Sequence, residues 1–333
     1  MAPRLCLAVA LLLLCSASAE SALDPEAVRA AASYSAAHRG TSFLVIQQGR
    51  ILFEHNADTP RKIYSGTKAF WNLAALAAAQ DGLINLDDHV ADTIPSWRYD
   101  PRKSRITIQQ LLDFSAGLDP AFYLHNDDPG DRDAIAIVRP IVAEPGSRFI
   151  YGPAALQVFH GVLKAKLRGE SPERFLERRV LRRLGLGSQR YLKDRAGNSL
   201  LAAGWMLSAR QWAKLGQLVL NEGAPVVSPG FLAQSWRGSP PNRAYSLGWW
   251  NNRAAPGGRE FDFEKALTPK WQTQIWDDAI LCRDAPPDLV ACIGSGYQRL
   301  YVIPSLQLVV VRHGGFGTFS DVRFLRLLLG RER

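Results

Sequence analysis

At Ile63-Tyr64-Ser65-Gly66-Thr67-Lys68-Ala69-Phe70 a hydroxyl and an amine stand three residues apart where an apolar segment begins. Residues at that spacing share one face of a helix, so Ser65 and Lys68 can meet. A serine hydroxyl is a weak nucleophile until a neighbour takes its proton. A lysine can do this if burial and the positive end of a helix lower its pKa. The same helix end offers backbone N–H groups, and that of Ser65 is placed to face an oxyanion. A serine three residues before a lysine is common by chance, so the surroundings must decide between a capped helix and a nucleophile.

Downstream, Phe70, Trp71, Leu73, Leu76 and Ala77 continue the helix and Gly82 ends it. Upstream, Asp24-Pro25-Glu26 caps an alanine-rich helix reaching His38, and Ser42 to Gln47 and Ile51 to His55 form a hairpin around Gly49. The middle of the chain is mainly helical. Helices are expected after Thr107, over Ala154 to Leu167, after Ser171-Pro172-Glu173 and after Ser208. The last third reads as strands: Ser246 to Asn251, Trp271 to Trp276, Val290 to Ile293, Gln298 to Ile303 and Leu306 to His313. Ser320-Asp321 then caps a terminal helix.

Strands at both ends with helices between them imply an α+β fold, an α/β sandwich. One antiparallel sheet, drawn from about 23–60 and 240–333, is flanked by helices, and a mainly helical lobe of about 65–235 is inserted.

Met1 to Ala19 has the form of a signal peptide: a basic start, an apolar run from Leu5 to Leu14, and Ala17-Ser18-Ala19 for cleavage. The run is too short for a bilayer core of about 30 Å. Residues 20–333 are then one exported domain, periplasmic or secreted, without stable membrane insertion after cleavage; a retained anchor is the alternative. The net charge of +9 is scattered, and Arg178 to Arg183 reads as a solvated helix face, so nucleic acid is not an expected partner. Cys282 and Cys292 flank Pro286-Pro287. They are either a hairpin disulfide or two buried thiols, and two cysteines without a nearby histidine do not make a zinc site. No metal or organic cofactor is expected.

These features together resemble the class C β-lactamase and DD-peptidase superfamily, which includes esterases and amide hydrolases. The likeness begins at Ser65-Gly66-Thr67-Lys68, where the family carries its S-x-x-K. It continues through Asp81-Gly82-Leu83-Ile84-Asn85-Leu86-Asp87-Asp88 and through Ile106-Thr107-Ile108 to Ser115-Ala116-Gly117-Leu118. The resemblance implies Ser65 as nucleophile and Lys68 as its partner. It also implies that Tyr151, after Glu144-Pro145-Gly146, is the family's tyrosine, which exchanges protons if Lys68 keeps its phenol partly ionised.

Two departures matter. Gly152-Pro153 stands where the family's Y-x-N has its asparagine, a residue that reads a substrate acylamide. At the third motif, Cys292-Ile293-Gly294 lacks the family's cation, although Gly294 and the Ser295 N–H can still serve the oxyanion. His313-Gly314-Gly315 is the rival for that motif by its letters but lies too near the chain's end. The implied activity is acyl transfer to water on a small ester, amide or peptide-like substrate. Simple esters or uncharged amides are favoured over β-lactams, unless Arg299 or His313 supplies the missing cation. A catalytically weak receptor for cell-envelope fragments is the alternative. Oligomeric state stays open.

Overall fold

Leu308-Val309-Val310-Val311-Arg312-His313 is buried along its whole length rather than on alternate residues. A strand with two buried sides must lie inside a sheet covered on both faces. The computed structural model, which describes residues 22–253, 258–266 and 275–332, places it there. The elements used below are α1 (Pro25–Ala37), β1 (Ser42–Gln47), β2 (Arg50–His55), α2 (Thr67–Gln80), α3 (Ile108–Leu112), α4 (Pro153–Lys166), α5 (Pro172–Leu176) and α6 (Ala209–Leu220). They continue with β3 (Tyr245–Ser246), β4 (Trp249–Asn251), α7 (Phe263–Ala266), β5 (Val290–Gly294), β6 (Gln298–Ile303), β7 (Leu308–His313) and α8 (Asp321–Leu328).

Seven strands form one antiparallel sheet in the order β2-β1-β7-β6-β5-β4-β3. The first hairpin thus joins the last strand, with Ser42 opposite His313. This is the expected sheet built from both chain ends. One face is covered by α1 and α8, the other by α6. Gly216 in α6 makes the close approach possible, because a Cβ there would sit 2.6 Å from Val309 and 3.1 Å from Leu300. Each large aliphatic or aromatic side chain sealed at these interfaces contributes about 1.5–3 kcal/mol.

α6 therefore packs on the sheet, although its residues fall inside the 65–235 stretch expected to form the helical lobe. Its strongly two-sided sequence buries Trp212, Leu215, Leu218 and Val219 against the strands. In contrast, α2 is buried on every side from Thr67 to Ala78. Its alanines let neighbours close in all round, so it is the central helix of the molecule.

Three expectations need correction. Ser246 to Asn251 is not one strand: Leu247 (φ 41) and Gly248 (φ 84) turn it into the β3–β4 hairpin. The buried Asp113 carboxylate fixes that turn, accepting from Ser246 Oγ at 2.9 Å and Leu247 N at 3.2 Å. Leu306 closes a 3-10 turn, and β7 begins at Leu308. The arginine run is not wholly solvated either. Arg179 is buried, with Nε and Nη2 both 2.7 Å from Asp81. Of the two alternatives open for Cys282 and Cys292, the structure has two buried thiols, both free. The strand expected at 271–276 lies mostly outside the described residues, as does the leader. Among the described residues, no helix is long and apolar enough to cross a membrane.

Candidate active site

Residues 61–66 run between two supports. On one side Arg61 and Lys62 pair with Leu207 and Met206, and Ile63 N donates to Trp205 O at 3.0 Å. On the other lies β5, where Gly294 approaches so closely that a Cβ would meet Ile63 O at 2.0 Å. Gly66 is equally constrained, since a Cβ there would lie 2.6 Å from the Trp212 ring. Tyr64 takes a left-handed conformation (φ 45), and the 3-10 turn Tyr64–Gly66 leads into α2. Such a conformation in a bulky residue costs about 1–3 kcal/mol and persists only where packing enforces it.

The result brings Ser65 and Lys68 together. Lys68 Nζ donates to Ser65 Oγ at 2.7 Å and to Ala202 O at 2.8 Å. Lys68 is 2% exposed, and burial brings its pKa down to about 7. Among the described residues no carboxylate offsets that burial. Lys68 thus holds an available lone pair in a good fraction of molecules at neutral pH.

Tyr151 completes the group. Its ring centroid is 4.8 Å from Lys68 Nζ, and its side chain is hydrogen-bonded to Ser65. The expectation of a partly ionised phenol is overturned, because burial drives its pKa well up and the hydroxyl stays protonated. Gly152 and Pro153 leave no side-chain amide where the family carries one. Pro153 is the first residue of α4, and a Cβ on Gly152 would strike Pro120 at 2.4 Å.

The Ser65 N–H lies at the start of a helical segment, where amides have no intrahelical acceptor. Ser295, directly after β5, is exposed, and among the described residues its N–H has no acceptor. Gly294 and Ser295 thus stand beside the Ile63–Ser65 segment, on the strand that sequence order assigned to the third motif. His313 does not. It lies on β7, two strands away from β5, fully buried against Trp212 with ring centroids 5.7 Å apart. Burial brings its pKa down to about 4, so it is neutral.

Arg299 is no substitute cation, for it projects to the opposite face of the sheet. Its Nε and Nη2 lie 2.6 and 3.0 Å from the two Asp321 oxygens, and its Nη1 props Gly294 O at 3.0 Å. Cys292 is fully buried, donates to Gly66 O at 3.4 Å, and has its thiol pushed up to about 12 by burial. It carries no charge.

One residue at the site escaped the sequence. Glu264 in α7 accepts from Gly296 N at 2.7 Å and Tyr297 N at 3.3 Å, capping the turn that begins at Ser295. Nothing in the pattern around Phe263-Glu264-Lys265-Ala266 marks it, because its partners lie more than thirty residues on. Only the folded chain joins them.

Comparison with known proteins shows the family and the fold. A sequence model of the Beta-lactamase family matches residues 27–314. Protein flp of Staphylococcus aureus strain N315 is 32% identical over 94 residues, which cover 24% of this chain and 19% of that protein; the match spans about a fifth of the relative's length. A class C beta lactamase from Rhodobacter sphaeroides superposes with a TM-score of 0.66 at 17% identity, covering 92% of this chain and 99% of that one. A family VIII carboxylesterase superposes with a TM-score of 0.64 at 17% identity, covering 92% and 97%. At such identities the two structures are alike in fold.

Proposed function

Because the chain belongs to the Beta-lactamase family, a family of hydrolases, we propose that it is an exported serine hydrolase that works through an acyl-enzyme on Ser65. The observation that carries this reading is the 2.7 Å contact between Ser65 Oγ and a lysine whose burial makes it a base near neutral pH. Lys68 takes the Ser65 proton as Oγ attacks the substrate carbonyl. The oxyanion is held by the Ser65 and Ser295 N–H groups. Tyr151, protonated and hydrogen-bonded to Ser65, passes its proton to the leaving alcohol or amine and is reprotonated by Lys68. Water then attacks the acyl-serine and returns the proton to Ser65, releasing the acid.

The substrates are simple esters or uncharged amides in preference to penicillins and cephalosporins. Pro153 removes the amide side chain that would read an acylamide, and Cys292 is neutral where a cation would read a carboxylate. A site that lacks the partner for a polar group loses discrimination in its favour. The protein is periplasmic or secreted, and its mature form begins near Glu20 without lipid on Cys15.

A fluorophosphonate probe, mapped by peptide mass spectrometry, should modify Ser65 alone, and Ser65→Ala should abolish the adduct. Labelling that persists in Ser65→Ala refutes the assignment. A short-chain nitrophenyl ester should be turned over with a higher kcat/KM than a chromogenic cephalosporin. The amino terminus of protein recovered from its host tests export.

A further inference from the structure

We infer that Glu264 is a specificity-determining residue: it sets a negative charge beside the oxyanion-binding turn, so the site disfavours anionic substrates and prefers acyl chains that are neutral or bear an ammonium group. This rests on the serine hydrolase reading above and names the substrate class of that same site.

The geometry is direct. The Glu264 carboxylate is bonded to the N–H groups of Gly296 and Tyr297, the two residues following Ser295. The carboxylate is therefore anchored to the two residues that follow the Ser295 N–H proposed to hold the substrate carbonyl. The side chain of Glu264 is 15% exposed, so it is not sealed from the site.

The neighbouring charges offset it only in part. Arg299 Nη2 forms an ion pair with Glu264 at 3.7 Å, but the same guanidinium is shared with Asp321 through two closer hydrogen bonds. Arg312 points away, donating to Tyr297 O, Ser35 Oγ and His38 O. Lys265 pairs with Asp262 at 3.2 Å. Of the group Arg299, Arg312, Asp321 and Glu264, it is Glu264 whose charge reaches the Tyr151 phenol and helps to hold it protonated.

The sign follows from Coulomb's law. Two like charges several ångströms apart at a partly wet site repel, and an ammonium group at the same place is attracted by a similar amount. Where the third motif of this superfamily carries a cation, this chain has a neutral thiol, and an anion caps the turn that follows the strand.

The test is a set of three esters that share one scissile bond and differ only at the end of the acyl chain: neutral, carboxylate or trimethylammonium. Wild-type kcat/KM should fall in the order ammonium, neutral, carboxylate. Glu264→Gln keeps an amide oxygen to accept from Gly296 N. It should raise the carboxylate-to-neutral ratio by about threefold to tenfold and lower the ammonium-to-neutral ratio similarly. Thermal unfolding of the variant checks that the turn survives. Glu264→Asp, which keeps the charge, should retain the wild-type order even if both ratios shrink.

Ratios unchanged in Glu264→Gln would overturn the inference while leaving the hydrolase intact, since the neutral ester still reports Ser65 chemistry. A wild-type preference for the carboxylate ester, lost in Arg39→Gln, would overturn it too: Arg39 packs against Gly317, beside the Phe316 that approaches Gly296. If Ser65→Ala hydrolyses the neutral ester as fast as wild type, the underlying reading falls and this inference with it.

Discussion

Lys68 and Arg299 are both buried basic side chains near the same strand end, and the protein treats them in opposite ways. Arg299, on the α8 face of the sheet, is held by both oxygens of Asp321. Burial alone would lower its pKa, but the paired carboxylate outweighs burial and keeps the guanidinium charged. Lys68, on the α6 face, meets a hydroxyl and a carbonyl and no carboxylate. Burial wins there, and its pKa comes down to about 7. A buried charge is kept where it is paired and is given up where it is not. One face of the sheet spends its charge on structure, and the other makes a base.

The largest effect that separates the two is on catalysis. Lys68→Met should lower kcat/KM on a neutral ester by about 10²–10⁴, the usual contribution of a positioned proton acceptor. Its stability should move the other way. The pKa of Lys68 is lowered on folding, so between about 7 and its ordinary 10.5 the unfolded chain binds the extra proton. Wild-type stability therefore rises with pH across that window. Lys68→Met removes the buried amine, so it should be more resistant to urea than wild type below pH 7, with the gain shrinking toward pH 10. Loss of both activity and stability below pH 7 would mean that Lys68 is held chiefly as a structural hydrogen-bond donor.

Asp321→Asn attacks the other face. Stranding Arg299 without its carboxylate should cost about 3–5 kcal/mol, read as a fall in the urea midpoint. Its activity per folded molecule should fall far less than in Lys68→Met. A midpoint within about 0.5 kcal/mol of wild type would show that Glu264 takes over the pairing.

A smaller effect concerns pH. As Lys68 gains its proton below about 7, kcat/KM on a neutral ester should fall by about tenfold per pH unit. A profile flat from about pH 5 to pH 8 would place the base elsewhere. The smallest effect is none. Cys282 and Cys292 are buried and burial raises both thiol pKa values, so neither should react with iodoacetamide in the native protein at pH 8. Rapid alkylation of Cys292 would show that the packing against Gly66 opens.

What the sequence determined by itself was local or repetitive. The S-x-x-K spacing put Ser65 and Lys68 on one helical face, caps such as Thr107 and Ser208 marked helix starts, and apolar runs marked strands. The order of the motifs along the chain placed Gly294 and Ser295 on the strand that does border Ser65. Tertiary structure decided whatever depended on distant partners. Arg299 is a structural cation because Asp321 lies across from it, and His313 is neutral because it is packed against Trp212. The Tyr151 phenol keeps its proton because it is buried. The Leu247–Gly248 turn splits an apparent strand because Asp113 holds it. Charge state in a folded protein follows from burial and from neighbours far along the chain. Residue types and spacing name the groups able to react; only the packed interior settles which of them are ionised.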